Sequence, residues 1–502
     1  MFPLMGIETE YGISVDEKGP EYLAGETAAL LRALPFAHFT RWDEGAENPL
    51  QDLRGFRARG LVTDPKDKAF DQQGQPAASS PPVRVERLLT NGARLYNDHG
   101  HPEYSTPECA SIADLVAHDR AGEAILLACV KALQEQIGIN SIKLYKNNTD
   151  FHGFSYGCHE NYLLPRLRKP EKLLEAFIPF LVSRQIFTGA GKVGVEVDTE
   201  QTEITGRPLF QLSQRADFFS QLMGVDTLYQ RPLINTRDEP HADPARYMRL
   251  HVIAGDANRS QYALALKMGT TSLVLRVLAD GWRPPVELED PVQATKAISR
   301  DQERKWLVPL KDGRVMSAID IQSLYIEAIA AQFPELDAEA RWIISEWRKT
   351  LEMLAADPLQ LADRLDWPAK LLLIDTFIAA EGTDDPAVLQ SLDLEYHNLD
   401  PQVSLFAALE MQQIVSEAAI KRAMDTAPAD TRAMIRGEAI RRFCDELSAL
   451  SWGRLRLQDG DLDLGRLVDG SLALLNQELV KITSLREFTA TVRRWEHEHD
   501  YK

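Results

Sequence analysis

The sequence predicts an α+β protein made of one large domain and a smaller one at its C-terminal end. Three observations carry that expectation. Stretches that read as strands concentrate before residue 260, the chain then turns helical, and 502 residues exceed the size at which a single hydrophobic core usually stops growing. The boundaries expected are 1–425 for the large domain and 426–502 for the small one.

In chain order, MGIETEYGIS (5–14) has the period of a strand, with Ile7, Thr9 and Tyr11 on one face and Glu8 and Glu10 on the other. Two acids on one face repel unless solvent or a cation separates them, and a hard dication such as magnesium takes oxygen ligands. A lone Glu-x-Glu is more often a solvated strand face. ETAALLRALPF (26–36) reads as a short helix. From 42 to 83 the chain is rich in Gly, Pro, Gln, Asp and Ser, a composition that cannot bury enough apolar surface to offset chain entropy. It is expected to be a mobile loop, either a lid or a disordered insertion.

The stretch from Arg84 to Ala110 follows, and it carries the densest chemistry. If Arg94 to Asp98 is extended, Arg94, Tyr96 and Asp98 share one face, with Leu95 and Asn97 on the other. His101, Glu103, Thr106 and Glu108 come next, with Pro102 and Pro107 holding the backbone in extended or turn geometry. Each of these polar groups would cost kilocalories in a dry wall without a partner. The face is therefore a site or a polar surface edge.

Helical spacing then runs from Ile112 to Ile137, and SIKLYKNNTD and FSYGCHENYLL read as two more strands, His159 and Asn161 sharing a face of the second. A helix from Pro170 to Gln185 and a strand KVGVEVD (192–198) precede a polar tract with Arg207, Arg215, Arg237, His241, Arg249 and His251. Arginine matches carboxylate and phosphate bidentately, so this tract either lines a groove for an acidic partner or nucleotide or forms ordinary surface ion pairs. Beyond 260 the leucine and tryptophan stripes read as helical scaffold. DTRAMIRGEAIRRF (430–443) is a basic amphipathic helix, SWGRLRL begins an alternating segment, and Trp452 is either core or a stacking platform for a base.

Bulk properties exclude several classes. A formal charge of −19 argues against general nucleic-acid binding, which needs a basic face. Four scattered cysteines without a CxxC pair indicate neither a disulfide framework nor a cysteine zinc site. No stretch approaches the roughly 18 apolar residues of a membrane span, and the first residues lack a signal-peptide pattern. A cytoplasmic protein without membrane contact is expected.

Taken together, GIETEYG (6–12), TNGARLYNDHGHPEYSTPE (90–108), LYKNNTD (144–150), SYGCHENY (155–162), SQRADFF (213–219), INTRDEPHAD (234–243), RLHVIAGDAN (249–258) and the basic helix closely resemble the family of enzymes acting on the prokaryotic ubiquitin-like protein, Pup. That family contains the Pup ligase and the Pup deamidase/depupylase. It is similar in fold to glutamine synthetase, with a curved antiparallel sheet, backed by helices, that cradles Mg-ATP. The resemblance leans to the deamidase/depupylase branch, which carries an insertion where this chain has 42–83 and reads DHAHPEY where this chain has DHGHPEY; the ligases read one residue longer. Asn97 and Cys158 depart from the family pattern and are expected to tune packing.

The resemblance implies magnesium positions at Glu8, Tyr96 and Glu103, with His159, His241 and Glu10 as further metal candidates and His251 as an alternative to His241. It implies nucleotide contacts for ATP or ADP at Arg94, Thr106, Asn161 and Trp452, and a catalytic aspartate at Asp98, acting as nucleophile or as general base. The partners it implies are Pup, pupylated proteins and, functionally, the bacterial proteasome. Pup is acidic, so Arg207, Arg215 and the basic helix are expected to bind it. The alternatives are a Pup-protein ligase, a small-molecule glutamate-amine ligase, disfavoured by INTRDEPHAD and the basic helix, and a non-catalytic Pup-binding adaptor.

Overall fold

Period-two alternation is what builds the centre of the molecule. In the computed structural model, residues 3–16, 18–19, 22–61, 84–138, 142–151, 153–196, 209–227, 230–458, 460–468 and 472–499 are described. Among them the strands before residue 260 are β1 (Met5–Glu10), β2 (Gly12–Val15), β3 (His38–Phe39), β4 (Glu86–Leu89), β5 (Arg94–Asp98), β6 (His101–Ser105), β7 (Ile142–Tyr145), β8 (Cys158–Pro165), β9 (Lys192–Val193), β10 (Phe210–Gln211), β11 (Gln221–Gly224), β12 (Pro232–Asn235) and β13 (Tyr247–Val252). Nine of them form one sheet in the order β11–β12–β13–β8–β1–β6–β5–β4–β3. Every neighbour pair is antiparallel except β11 with β12.

Residues directly opposite each other on paired strands face the same side. Glu8 lies opposite Ser105 on β6 and His159 on β8, Glu10 and Tyr96 both lie opposite Glu103, and Asn161 lies opposite His251. One face of the sheet is thereby polar. Its other face buries Met5, Ile7, Leu95, Tyr104, Cys158, Tyr162, Met248 and Leu250. Two helices cover this face, α1 aside (Leu23–Arg32): α2 (Ile112–Ile137) and, after α3 (Glu171–Ser183), α4 (Gln261–Ala279). α2 starts where Ser111 accepts a hydrogen bond from the Asp114 amide and stops at Gly138 with φ 68°, so the expected bounds hold. α4 is long and apolar enough to cross a membrane, but 89% of its most apolar window is buried inside the fold, as in a core helix. Further helices, α5 (Ala338–Ala356) and α6 (Asp366–Glu381), extend this layer where the leucine and tryptophan stripes were read as scaffold.

Past α6, the C-terminal elements are α7 (Arg432–Phe443), β14 (Leu447–Ser451), β15 (Arg454–Leu457), β16 (Leu462–Asp463), α8 (Leu472–Leu479) and α9 (Leu485–His499). They share a hydrophobic cluster that includes Leu450, Leu455, Leu475 and Phe488 and reaches Phe39 and Leu88 at the β3–β4 edge of the large sheet. This C-terminal unit is thus packed on one end of the sheet.

Three local expectations differ. The first helix spans Leu23–Arg32 instead of 26–36, consistent with Pro35 disfavouring helix before it. KVGVEVD contributes only Lys192–Val193 as strand, because Gly194 at φ 90° breaks the extended run; residues 197 and 198 lie outside the described residues. Residues 42–61 are docked: Leu53 is 6% exposed, its amide donates to Thr236 O at 2.8 Å, and Asp52 accepts from Thr236 Oγ1 at 2.6 Å. A few anchors fix a polar segment that composition alone reads as loop. Residues 62–83 lie outside the described residues.

Candidate active site

The polar face of the sheet opens into a cavity of about 1410 Å³ lined by Glu8, Glu10, Arg94, Tyr96, Asp98, Glu103, His159, Arg215, His241, His251 and Trp452, among others. Two groups of ligand-type side chains stand in it, each with its atoms within 4.8 Å of one another: Glu10, Asp98 and Glu103, and Glu8, His159 and His251. β1 supplies one acid to each.

Within the second group, Glu8 is 3.4 Å from His159 Nδ1 and 3.6 Å from His251 Nε2, while its other oxygen accepts from Asn161 Nδ2 at 3.1 Å and lies 3.7 Å from Arg249. Burial works to raise the Glu8 pKa, but the facing imidazoles and Arg249 outweigh it and hold the carboxyl well below its ordinary range. Burial, reinforced by Arg249, pushes the His251 imidazole down to about 3, so the ring is neutral and both nitrogens remain without a hydrogen-bond partner in the fold. The first group behaves oppositely. Glu103, 3% exposed, is raised well above the carboxylate range by burial and then by Asp98, Glu10 and Glu8, which outweigh the opposing Tyr96 hydroxyl. Glu10 is raised by burial and by Asp98.

These features fit a divalent cation. Three clustered carboxylates form the all-oxygen set that magnesium prefers, and a neutral buried imidazole without a partner is a ligand in waiting. Glu10, Asp98 and Glu103 would hold one ion, with Glu8, His159 and His251 suited to another of mixed nitrogen and oxygen preference.

At one end of the cavity, Arg94 forms a bidentate pair with Glu86 at 2.8 Å and lies between the rings of Tyr96 (3.9 Å) and Trp42 (4.2 Å). Trp42 meets Trp452 edge-on at 5.4 Å. A smaller cavity of about 80 Å³ adjoins, lined by Gly6, Thr106, Asn161, His241 and Trp452. Thr106 Oγ1 also accepts from the Ile7 amide at 3.1 Å. Thr106, Asn161, Arg94 and Trp452, more than 350 residues apart at the extremes, are gathered around one end of the sheet.

Three expectations meet a geometry different from the one expected. His241 sits in the loop before β13 at φ 53° and lines the cavities, but it belongs to neither ligand group; His251 does, because β13 pairs with β8 beside β1. Arg215 does not face outward: it is 2% exposed, donating to Ile253 O and to Ser155 Oγ at 3.3 Å. Of the arginines of α7, Arg432 and Arg436 are buried on Glu108, while the exposed Arg441 pairs with Asp425 and Glu438 and the half-buried Arg442 with Glu438. Two of the helical arginines, Arg432 and Arg436, are thus internal ties and not part of an exposed stripe. Arg207 lies outside the described residues. Asn97 lines the rim of the cavity with its amide tied to Ala24 O and Gly100 N, and Cys158 packs behind the sheet 3.7 Å from Lys267.

Some site residues carried no assigned role in the sequence. His101 stacks on Tyr156 at 4.6 Å and stands 4.0 Å from Glu10; Arg249 reaches Asn161 at 2.8 Å. Both alternate in step with residues that were singled out, which was the available signal.

A family model described as Pup-ligase protein matches residues 3–456. The chain belongs to the Pup-ligase family. That match takes in every site residue above, including Trp452. A relative named depupylase, from Acidothermus cellulolyticus, is 42% identical over 90% of this chain and 90% of its own. A Pup–protein ligase from Acidimicrobium ferrooxidans is 43% identical over 74% of this chain and 84% of its own. Among solved Pup-ligase family structures, the complex between Pup and its ligase PafA superposes with a TM-score of 0.74 at 30% identity, covering 97% of this chain and 94% of that one. PafA in complex with ADP gives 0.70 at 31% identity, covering 86% and 97%. The α+β expectation therefore holds, and this is the fold of that family.

Proposed function

We propose that the chain is a Pup deamidase/depupylase. It hydrolyses the isopeptide bond between the C-terminal Glu of Pup and a substrate lysine, and converts a C-terminal Gln of Pup to Glu, with Mg-ATP or ADP as a bound cofactor. The observation that carries the reading is the convergence of Glu10, Asp98 and Glu103 beside Glu8, His159 and His251. The ADP complex of PafA supports a bound nucleotide, for which the proposed site is the end with Arg94, Thr106, Asn161 and Trp452.

Amide hydrolysis needs a nucleophile, a polarised carbonyl and a proton for the departing nitrogen. Asp98 supplies the first, by attacking the carbonyl carbon or by taking a proton from water that attacks it. Glu10 and Glu103 stand around that point, and their raised carboxyls fit a site completed by positive charge. Bound magnesium and nucleotide would polarise the carbonyl and screen these carboxylates from one another. The C–N bond then breaks: on the general-base route the amine takes the proton that Asp98 removed from water, and on the direct route it takes one from solvent before a water hydrolyses the Asp98 anhydride.

Preference for hydrolysis over ligation rests on the match to depupylases over 90% of the chain against 74% for the ligase, and on the segment between β3 and β4. The ligase reading is kept in view by the 43% identity of that relative. In it, the same residues would transfer a γ-phosphoryl to a Glu carboxylate, Asp98 deprotonating the incoming lysine. Incubating the purified protein with a Pup-lysine conjugate and with Pup ending in Gln, in ATP, ADP or no nucleotide, tests the proposal. Release of free substrate and ammonia with little ATP consumed is expected; stoichiometric ATP use with conjugate formation would reverse the assignment.

A further inference from the structure

The two inward arginines of α7 meet at Glu108, three residues beyond β6. Arg432 Nε donates to Glu108 Oε1 at 2.7 Å and Arg436 Nη1 to the same oxygen at 2.8 Å, while Arg436 Nη2 donates to Oε2. Each guanidinium has donors left over, and these reach other loops. Arg432 donates to His241 O at 2.7 Å and Leu464 O at 3.2 Å. Arg436 donates to Trp452 O at 2.9 Å and Gly92 O at 3.2 Å, its guanidinium 5.1 Å from the Trp452 ring centre. Three mostly buried side chains thus tie together the segments that carry Thr106, His241, Trp452 and Arg94.

The clasp is seated on a close helix contact. A Cβ on Gly437 would fall 2.1 Å from Thr90 O, and one on Gly92, at φ 78°, would fall 2.8 Å from the Ala433 Cβ. Neither position admits a side chain without parting α7 from the turn that leads into Arg94. Arg436 itself lines neither cavity, whereas Trp452 and Glu108 line the smaller one.

We infer that Arg436 is a positioning residue for nucleotide binding: by fixing Trp452 O and Gly92 O against Glu108, it sets the C-terminal unit's Trp452 and the sheet's Arg94 at the spacing an adenine nucleotide requires. The inference rests on the nucleotide site proposed above. It separates two properties that share one sheet, since the carboxylate groups on β1, β5 and β6 do not touch Arg436. Nucleotide affinity depends on the clasp and cation affinity does not.

The test is Arg436→Lys, which keeps a positive charge for Glu108 but has one ammonium where the guanidinium fork served several acceptors. ADP binding by calorimetry in magnesium should weaken about tenfold, the scale of one charge-assisted hydrogen bond lost, while Mn²⁺ affinity without nucleotide stays within about twofold. Unchanged ADP affinity in a folded R436K protein overturns the inference, as does an equal loss of Mn²⁺ affinity. Should R436K not fold, hydrogen exchange on the unaltered protein decides: ADP should slow exchange in 90–94, 239–243 and 452–464 together, and slowing in one of these alone overturns it. Failure of the unaltered protein to bind ADP removes the nucleotide site itself and is recognised before any variant is made.

Discussion

Gly157 precedes β8 at the point where the two ligand groups come closest, and replacing it with alanine is the sharpest test of their geometry. An ideal Cβ there falls 2.4 Å from His159 Nε2 and 2.6 Å from Glu10 Oε1. Ordinary contact needs about 3.5 Å, so each side chain must retreat by roughly 1 Å. Metal–ligand distances tolerate only about 0.2 Å. His159 cannot retreat freely, because it faces Glu8 at 3.4 Å and meets the His251 ring edge-on at 5.1 Å. Displacement of one ligand from each group should weaken cation binding about 10- to 100-fold, the range seen when ligand orientation is disturbed. Mn²⁺ titration followed by paramagnetic resonance measures it, with thermal melting to show that Gly157→Ala is folded. Gly25→Ala, where a Cβ meets nothing within 4 Å, is the control. Wild-type Mn²⁺ affinity in a folded Gly157→Ala protein would refute the assignment of Glu10 and His159 as ligands.

Asp98→Asn should lower turnover of a Pup-lysine conjugate by roughly 10²- to 10⁴-fold while conjugate binding persists; comparable turnover would return the chain to the class of binding adaptors. Leu53→Ala should destabilise the protein by about 2–4 kcal/mol in urea, because Leu53 belongs to the main core cluster; a residue in a free loop would shift stability by under about 0.5 kcal/mol. The Glu108 clasp predicts an acid limb in the stability profile. Burial alone would raise the Glu108 carboxyl, but Arg436 and Arg432 hold it at about 2, against about 4.3 in the unfolded chain. A depressed carboxyl stabilises the fold fully above its unfolded value and loses that contribution as pH falls to the folded one. The melting temperature should therefore fall between about pH 4.3 and pH 2, through a contribution of up to roughly 3 kcal/mol. Glu108→Gln should flatten that limb; an unchanged profile would assign it to other groups.

The sequence was most legible where a short-range rule set the geometry. Alternation alone placed Glu8 and Glu10 opposite Ile7 and Thr9, and Arg94, Tyr96 and Asp98 on one face, since a strand has no other choice. Helical spacing delimited α2, and the structure ends it at the same residues with a serine cap and a left-handed glycine. Antiparallel register was not legible, and register is what selects His251 over His241: only the pairing of β13 with β8 brings position 251 next to Glu8. The basic helix failed for a related reason. Charge and spacing describe what a face carries, but not whether it meets solvent, and a single acid at 108, more than 320 residues away in the chain, turned Arg432 and Arg436 inward.

An acidic chain that binds anions must place its positive charge where its own acids do not cancel it, and the two sets of arginines divide on this point. Those of α7 are neutralised by Glu108, Glu438 and Asp425. Arg215 and Arg237 are held differently, donating to the carbonyl oxygens of Ile253 and Val225, which fix a guanidinium without removing its charge. Burial, and after it the nearby Arg231, lowers Arg215 to about 10. All three line the large cavity with the carboxylates. An attraction for an anionic substrate end or phosphate would thus lie inside the cavity that Asp98 also lines, where solvent ions screen it less than they would an exposed basic patch.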